Sequence, residues 1–252
     1  MQNFFRPLTL TAAIICCLQL KSYSQVDRST WQISGNAGYV VYQGDLTPNS
    51  LSGYKSISYF FGIGGTKIID RLFSVKLNVS YGKLKADESR YSSFHKDRAF
   101  SFSTSITEIT PVLSWNIFGN NYLELDQDFS PYVFAGAGVA LMKVKRDFTK
   151  INRTVFNPNN WVSLGLAVDS ATKIPTAAFV IPIGAGTEYY INDDFSISAD
   201  LTYRFCFSDY LDGFSKSGNK GRHDSYHTLT IGLVHTLFSG RAGGVTSPRS
   251  IF

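Results

Sequence analysis

Cysteine is nearly absent from this chain, with three in 252 residues, and two of these, Cys16 and Cys17, fall in an apolar leader. Only Cys206 is left, so no disulfide framework can hold the fold, and closure of a sheet or core must do so instead. Charge is scarce as well: 17% of residues are Asp, Glu, Lys or Arg, against 15% aromatic. That is too few ions for the surface that keeps a soluble domain dispersed. The net charge of +5 is too small to argue for a nucleic-acid partner. After the leader, no stretch approaches the ~20 apolar residues of a spanning helix, which excludes a transmembrane helix there.

What the chain does contain is alternation. Phe195, Ile197, Ala199, Leu201, Tyr203, Phe205 and Phe207 interleave with Ser196, Ser198, Asp200, Thr202, Arg204 and Cys206. Phe73, Val75, Leu77, Val79 and Tyr81 do the same with Ser74, Lys76, Asn78, Ser80 and Gly82. A period of two with one greasy face specifies β-strands. The polar face decides the solvent, because a water-exposed sheet carries long charged side chains, whereas these positions are mostly Ser, Thr, Asn and Gly. Small polar residues suit a crowded lumen, with the apolar face turned to lipid.

Eight such segments occur, at 31–43, 57–69, 72–84, 99–118, 131–143, 178–191, 195–207 and 226–238. At about 3.3 Å per residue and a tilt near 40°, each crosses an outer membrane. Short links (70–71, 192–194, and the moderate 119–130) alternate with long ones (44–56, 85–98, 144–177, 208–225). Transmembrane barrels show this asymmetry between periplasmic turns and extracellular loops. The expected fold is therefore all-β, an eight-stranded antiparallel transmembrane barrel over residues 25–238, followed by a C-terminal tail at 239–252. Residues 1–24 read as an export signal, with Arg6 ahead of the apolar run from Leu8 to Leu20 and Ser22-Tyr23-Ser24 at the cleavage site. The expected location is the cell outer membrane, with lipid as the first partner.

Two strands are irregular. In 99–118 the apolar set moves from Phe100, Phe102 and Ile106 to Ile109, Leu113, Trp115 and Ile117, and a bulge near Thr107 is expected to restore the register. In 131–143 both faces are apolar or glycine, and Val133, Ala135, Ala137 and Val139 are assigned to lipid. Gly136-Ala137-Gly138 and Gly184-Ala185-Gly186 lack the helix that a dinucleotide loop needs, and are read as room for large side chains from the far wall.

Inward charges form an expected lumen network of Lys76, Glu108, Glu188 and Asp200, since ions inside a narrow barrel must find partners. Arg204, near the outer end of its strand, is expected to reach Asp209 or Asp212 and latch the last outer loop over the mouth. Glu188 and Asp200 lie close enough to suggest a catalytic pair, but no nucleophile accompanies them. His223-Asp224-Ser225 holds the residue types of a hydrolytic triad, yet neighbours on an extended chain point to different sides. Asp209 and Asp212 around Gly213 are only a fragment of a calcium loop. No metal or cofactor is expected, and no enzymatic activity. His227 and His235 sit on the lipid-facing phase near the two ends of the last strand.

Ile181-Pro182-Ile183-Gly184-Ala185-Gly186, Tyr203-Arg204-Phe205 and Ser208-Asp209-Tyr210-Leu211-Asp212-Gly213-Phe214-Ser215 resemble a Bacteroidetes family of outer-membrane β-barrels. That family includes the PorG-type component of the type IX secretion and gliding-motility machinery. Tyr42-Gln43-Gly44-Asp45-Leu46 and Ser130-Pro131-Tyr132-Val133-Phe134-Ala135-Gly136 resemble its first and fifth strands. The resemblance implies a non-enzymatic anchor that holds a periplasmic secretion-ring protein or lipoprotein. The acidic link at 119–130, with Glu124, Asp126 and Asp128, is then the expected periplasmic contact. The alternative is a surface-exposed structural or adhesive barrel with no secretion role.

Overall fold

The computed structural model describes residues 30–48, 52–91, 94–121, 128–218 and 224–238. The proposed signal, the tail and His223 lie outside these residues. Nine strand segments follow one another: β1 (Thr30–Gln43), β2 (Ser58–Ile68), β3 (Phe73–Asp87), β4 (Ser101–Asn116), β5 (Phe129–Gly136), β6 (Gly138–Asp147), β7 (Ala177–Tyr190), β8 (Phe195–Cys206) and β9 (Ser225–Phe238). Each pairs antiparallel with its neighbours, and β9 returns to β1 in a register running from Trp31↔Phe238 to Gln43↔Ser225. No edge is left open. β5 and β6 are two parts of one wall strand between β4 and β7, so the ring has eight strands.

The break at Ala137 has a chemical cause. Pro111 stands across from Ala137 on one side and Pro182 across from Gly136 on the other. Neither proline has an N–H to donate, so the ladder weakens on both flanks at one level. The register is the same above and below the break.

Both inner turns are closed by a side chain. Asp70 Oδ1 accepts from the backbone N–H groups of Leu72 (2.8 Å) and Phe73 (2.7 Å). Asn192 Oδ1 accepts from those of Asp194 (3.0 Å) and Phe195 (2.8 Å). Such Asx turns fix a tight reversal without glycine. The outer links are long and carry two helices, α1 (Phe94–Arg98) and α2 (Trp161–Ala171), the second capped by Asn160, whose side chain accepts from Val162 N–H.

Apolar side chains cover the outside as the alternation requires: Ile63 is 66% exposed and Ile231 65%. A patch of this extent is incompatible with water and marks a lipid face. Val133 and Val139 are on it, with Tyr132 and Phe134 turned inward, as expected for this strand. Gly184 and Gly186 do make room for large side chains, but those of the adjacent β5 rather than the far wall. A Cβ at Gly184 would lie 2.4 Å from the Phe134 ring, and one at Gly186 2.8 Å from Tyr132.

The expected bulge near Thr107 is not there. β4 pairs with β3 without a slip from Phe73↔Trp115 to Asp87↔Ser101, so Thr107 is an ordinary ladder residue. What changes is the environment. Tyr81, Thr107 and Leu141 lie in one row across β3, β4 and β6. On the inner side of that row, β3 and β4 present Val79, Leu77, Ile109 and Leu113 outward; on the outer side they and β6 present Lys83, Lys85, Ser105, Ser103, Lys143 and Lys145. The inward phase inverts at the same level, from Ser80, Asn78 and Thr110 to Leu84, Ile106, Met142 and Phe102. The barrel wall leaves the membrane here, and beyond it the apolar residues turn into a protein core.

Placing a charge on either side of this boundary tests it. Ile231→Lys, deep in the apolar band, is expected to lower the unfolding free energy in lipid by about 2–4 kcal/mol, and Thr107→Lys by no more than about 1 kcal/mol. Reversible denaturant unfolding of the reconstituted protein reads both.

Candidate functional site

The lumen is divided into two compartments. The outer one is filled. Tyr42, Leu46, Leu84, Phe100, Phe102, Ile106, Phe156, Val162, Leu166, Leu211, Phe214 and Tyr226 form a buried core drawn from the upper strands and the outer links. Phe100 and Phe214 stack at 4.5 Å, and Tyr42 meets Phe102 edge-on at 4.7 Å.

Buried ions tie the outer links together. Arg98, at the end of α1, donates from Nε to Glu88 Oε2 (2.8 Å) and from a terminal nitrogen to Glu88 Oε1. It also reaches the carbonyls of Ser217 (2.9 Å) and Asp45 (3.2 Å), so one guanidinium joins three links. The rings of Phe94 and Phe100 flank it at 5.4 and 5.2 Å. His95 Nδ1 lies 2.8 Å from Glu88 Oε1. The fourth link joins through Asp169 of α2. Its carboxylate accepts from the backbone N–H groups of Ser215, Lys216 and Ser217 and from the Ser217 hydroxyl at 2.6 Å. α2 can come this close because residue 165 is glycine: a Cβ there would sit 2.3 Å from the Lys216 carbonyl oxygen.

Beside these lies a carboxyl pair. Tyr42 Oη is 2.8 Å from Asp212 Oδ2 and 2.6 Å from Asp224 Oδ1. One phenolic proton can be donated to only one of them, so the second contact is a hydrogen bond only when that carboxyl is itself protonated and donates to the phenol oxygen. Burial pushes Asp224 up to about 7, with the nearby charge of Asp209 adding to it. Burial, then Asp224 and Asp45, raise Asp212 well above the ordinary carboxylate range. The cap thus holds a shared proton.

At the floor of the core, Arg204 Nε donates to Glu108 Oε2 (2.7 Å), and its Nη1 donates to Thr228 Oγ1 (2.8 Å). Tyr226 Oη donates to Glu108 Oε1 (3.1 Å). The expected latch from Arg204 to Asp209 or Asp212 does not form. Arg204 points into the barrel on the inward phase, and Glu108 is the carboxylate within reach there. Asp209 instead accepts from Ser215 Oγ (2.5 Å), and Asp212 belongs to the Tyr42 cluster.

Below this pair the lumen opens into a polar cavity. Lys76, Glu188, Asp200, Tyr132 and Asn78 line it, and it runs down to Asn116, Asn121 and Tyr190 at the inner end. The expected network is therefore split. Glu108 pairs with Arg204, Asp200 accepts from Tyr132 Oη (2.6 Å), Glu188 accepts from Ser196 Oγ, and Lys76 faces the same cavity. Ser34 Oγ, Asn36 Oδ1, Asn78 Oδ1 and Ser80 Oγ find no hydrogen-bond partner among the described residues, and buried polar groups of this kind take water instead. Of the expected periplasmic contacts, Glu124 and Asp126 lie outside the described residues, whereas Asp128 is exposed and its carbonyl accepts from Tyr190 N–H (2.8 Å). His227 and His235 lie on the outward phase, His227 beside Tyr54 Oη (2.9 Å) and His235 stacked on Phe195 (4.6 Å).

A closed eight-stranded ring with a lipid-facing apolar band, short inner turns and long outer links defines an outer-membrane β-barrel. The chain belongs to the outer membrane protein beta-barrel domain family, whose model matches residues 8–235. It lies in the cell outer membrane. None of the curated proteins matches it. Similar solved structures include Neisserial surface protein A, NspA (11% identity, 81% of this chain and 96% of that one, TM-score 0.44). Ail of Yersinia pestis is similar too (12%, 83% and 99%, 0.45), as is OprG of Pseudomonas aeruginosa (11%, 84% and 97%, 0.45). At such identities the likeness concerns the fold alone.

Sequence reasoning missed Glu88, Arg98, Asp169 and the Tyr42–Asp212–Asp224 cluster. Two predictions follow from their geometry. Arg98→Leu leaves Glu88 buried without its cation and is expected to cost about 3–5 kcal/mol, read as accelerated protease cleavage of the outer links, with Glu88→Gln added to the same chain restoring resistance. Because the folded cap holds Asp224 protonated up to about pH 7 and the unfolded chain does not, its contribution is complete below the ordinary carboxylate range and is lost as pH rises toward 7. Cleavage within 208–224 is expected to slow on going from pH 7.5 to about pH 5, and the double variant Asp212→Asn, Asp224→Asn to abolish that dependence.

Proposed function

We propose that this barrel is a non-enzymatic anchoring or assembly component of the outer membrane, resembling the PorG-type component of the type IX secretion and gliding-motility machinery. One observation carries the reading: the outer mouth is filled by a packed core locked with buried ion pairs, whereas the lumen is polar and hydrated toward the inner end. A wall closed on the outside does not serve as a diffusion pore, and recognition then falls to the rims, where loops stand on a rigid scaffold. On this reading the inner rim, with the 119–130 link and its acids Glu124, Asp126 and Asp128, holds a periplasmic ring protein or lipoprotein.

A second reading has its own support. Four interlocked outer links make a rigid platform, which suits a structural or adhesive surface protein with no part in secretion. Affinity isolation from crosslinked outer membranes separates the two. A periplasmic ring component is expected to co-purify with the native chain and to be lost when Glu124, Asp126 and Asp128 are replaced by their amides. Undiminished cargo export and unchanged partners in a deletion strain carrying that variant would sink the anchoring role and leave the surface role standing.

A further inference from the structure

Just beyond the row Tyr81–Thr107–Leu141, where the wall emerges from the membrane, two further rows cross β3, β4 and β6. Lys83 pairs with Ser105, which pairs with Lys143; Lys85 pairs with Ser103, which pairs with Lys145. All four lysines are on the outward phase, and none is in an ion pair among the described residues. Strand geometry spaces the two lysines of a row by ~10 Å and the two rows by ~7 Å. Each row therefore offers a pair of ammonium groups about a serine hydroxyl.

A general need for solubility does not explain this placement. Round the rest of the barrel, the outer strand ends carry aromatic and apolar residues on the same phase: Tyr39, Tyr59, Phe179, Tyr203, Phe205 and Phe207. The cations are confined to one sector. The next row outward is Asp87–Ser101–Asp147, but those carboxylates are engaged locally, Asp87 with the N–H and hydroxyl of Ser89 and Asp147 with those of Thr149. Tyr81, one row inward of Lys83 and stacked on Tyr59 at 6.3 Å, marks the interface beneath. One row above an aromatic girdle is the depth of lipid headgroups.

We propose that the Lys83–Ser105–Lys143 and Lys85–Ser103–Lys145 rows bind the phosphorylated headgroup of an outer-leaflet glycolipid. Phosphate monoesters carry close to two negative charges and three acceptor oxygens, which matches two ammonium donors and a hydroxyl. Lysines at such a surface attract anionic headgroups additively until salt screens them. The acyl chains of the same lipid then lie along Val79, Ile109 and Leu141, directly below. The site does not depend on whether the inner rim binds a secretion ring.

Native mass spectrometry of the detergent-purified full chain tests this, with bisphosphorylated lipid A and its dephosphorylated form as probes. The native protein is expected to retain the phosphorylated form at least about tenfold better, with the preference shrinking as salt is raised. The quadruple variant Lys83→Gln, Lys85→Gln, Lys143→Gln, Lys145→Gln is expected to lose that preference while keeping its heat-modifiable gel mobility. The corresponding quadruple arginine variant should keep both. Equal retention of the two lipids by the native protein, or an undiminished preference in the glutamine variant, overturns the proposal. So does lysine-dependent binding of a soluble sulfated polysaccharide or of inorganic phosphate without any lipid preference, which would assign the patch to a soluble anion.

Discussion

Everything in this structure depends on which side of the wall is dry. Along one continuous strand, dry means the lipid side below Thr107 and the interior above it, and the apolar residues change faces accordingly. β4 shows this without a break in its ladder: Leu113 and Ile109 point out, Ile106 and Phe102 point in, and the residues between them are spaced so that the phase change costs no hydrogen bond. A bulge would have kept one face apolar throughout and left the upper half of the lumen polar. In the β3–β4–β6 sector the inversion instead lets the wall above Thr107 behave as a soluble sheet and the wall below it as a membrane one.

The dry upper interior in turn sets the terms for every ion in it. Glu88, Arg98, Asp169, Glu108 and Arg204 are all buried, and such groups are tolerated only when their hydrogen-bonding capacity is satisfied. Arg98 and Asp169 take partners from other outer links, which is why those links act as one body. Arg98 shows the economy of this arrangement, since two carbonyls from separate links complete the valence that Glu88 leaves open. The carboxyl pair at Tyr42 is a further consequence: with no cation alongside among the described residues, a proton does the same work.

Much of the fold was legible because a period of two, a scarcity of charge and an alternation of link lengths each report on the backbone and the solvent. The charge ladder was legible only in part. Lys76, Glu188 and Asp200 were placed in the lumen by phase alone, and the phase was right. Arg204 was also placed inward, but its partner was sought nearby in sequence, at Asp209 and Asp212, when Glu108, 96 residues away, lies across the ring. Strand order fixes such a pairing and local spacing does not. The β4 register was misread for a different reason, because one environment was assumed for the whole strand. The long link at 144–177 held a signal that could have been used: Asn160 ahead of Trp161-Val162 is a helix cap followed by an apolar face.

The Glu108–Arg204 pair sits where the two halves meet, and its position follows from that boundary. Arg204 lines the wet cavity from above and lies over the Phe60 ring at 4.7 Å, while Glu108 is fully buried behind it. An apolar pair at this level would leave Thr228 and Tyr226 without partners; an unpaired cation would draw water into the core. A guanidinium can present one edge to the carboxylate and another to the threonine hydroxyl, and so closes the cavity with a group that water can touch on one side only. The seal between hydrated lumen and packed cap is thus electrostatic, and the residues above it are free to be as apolar as a soluble core.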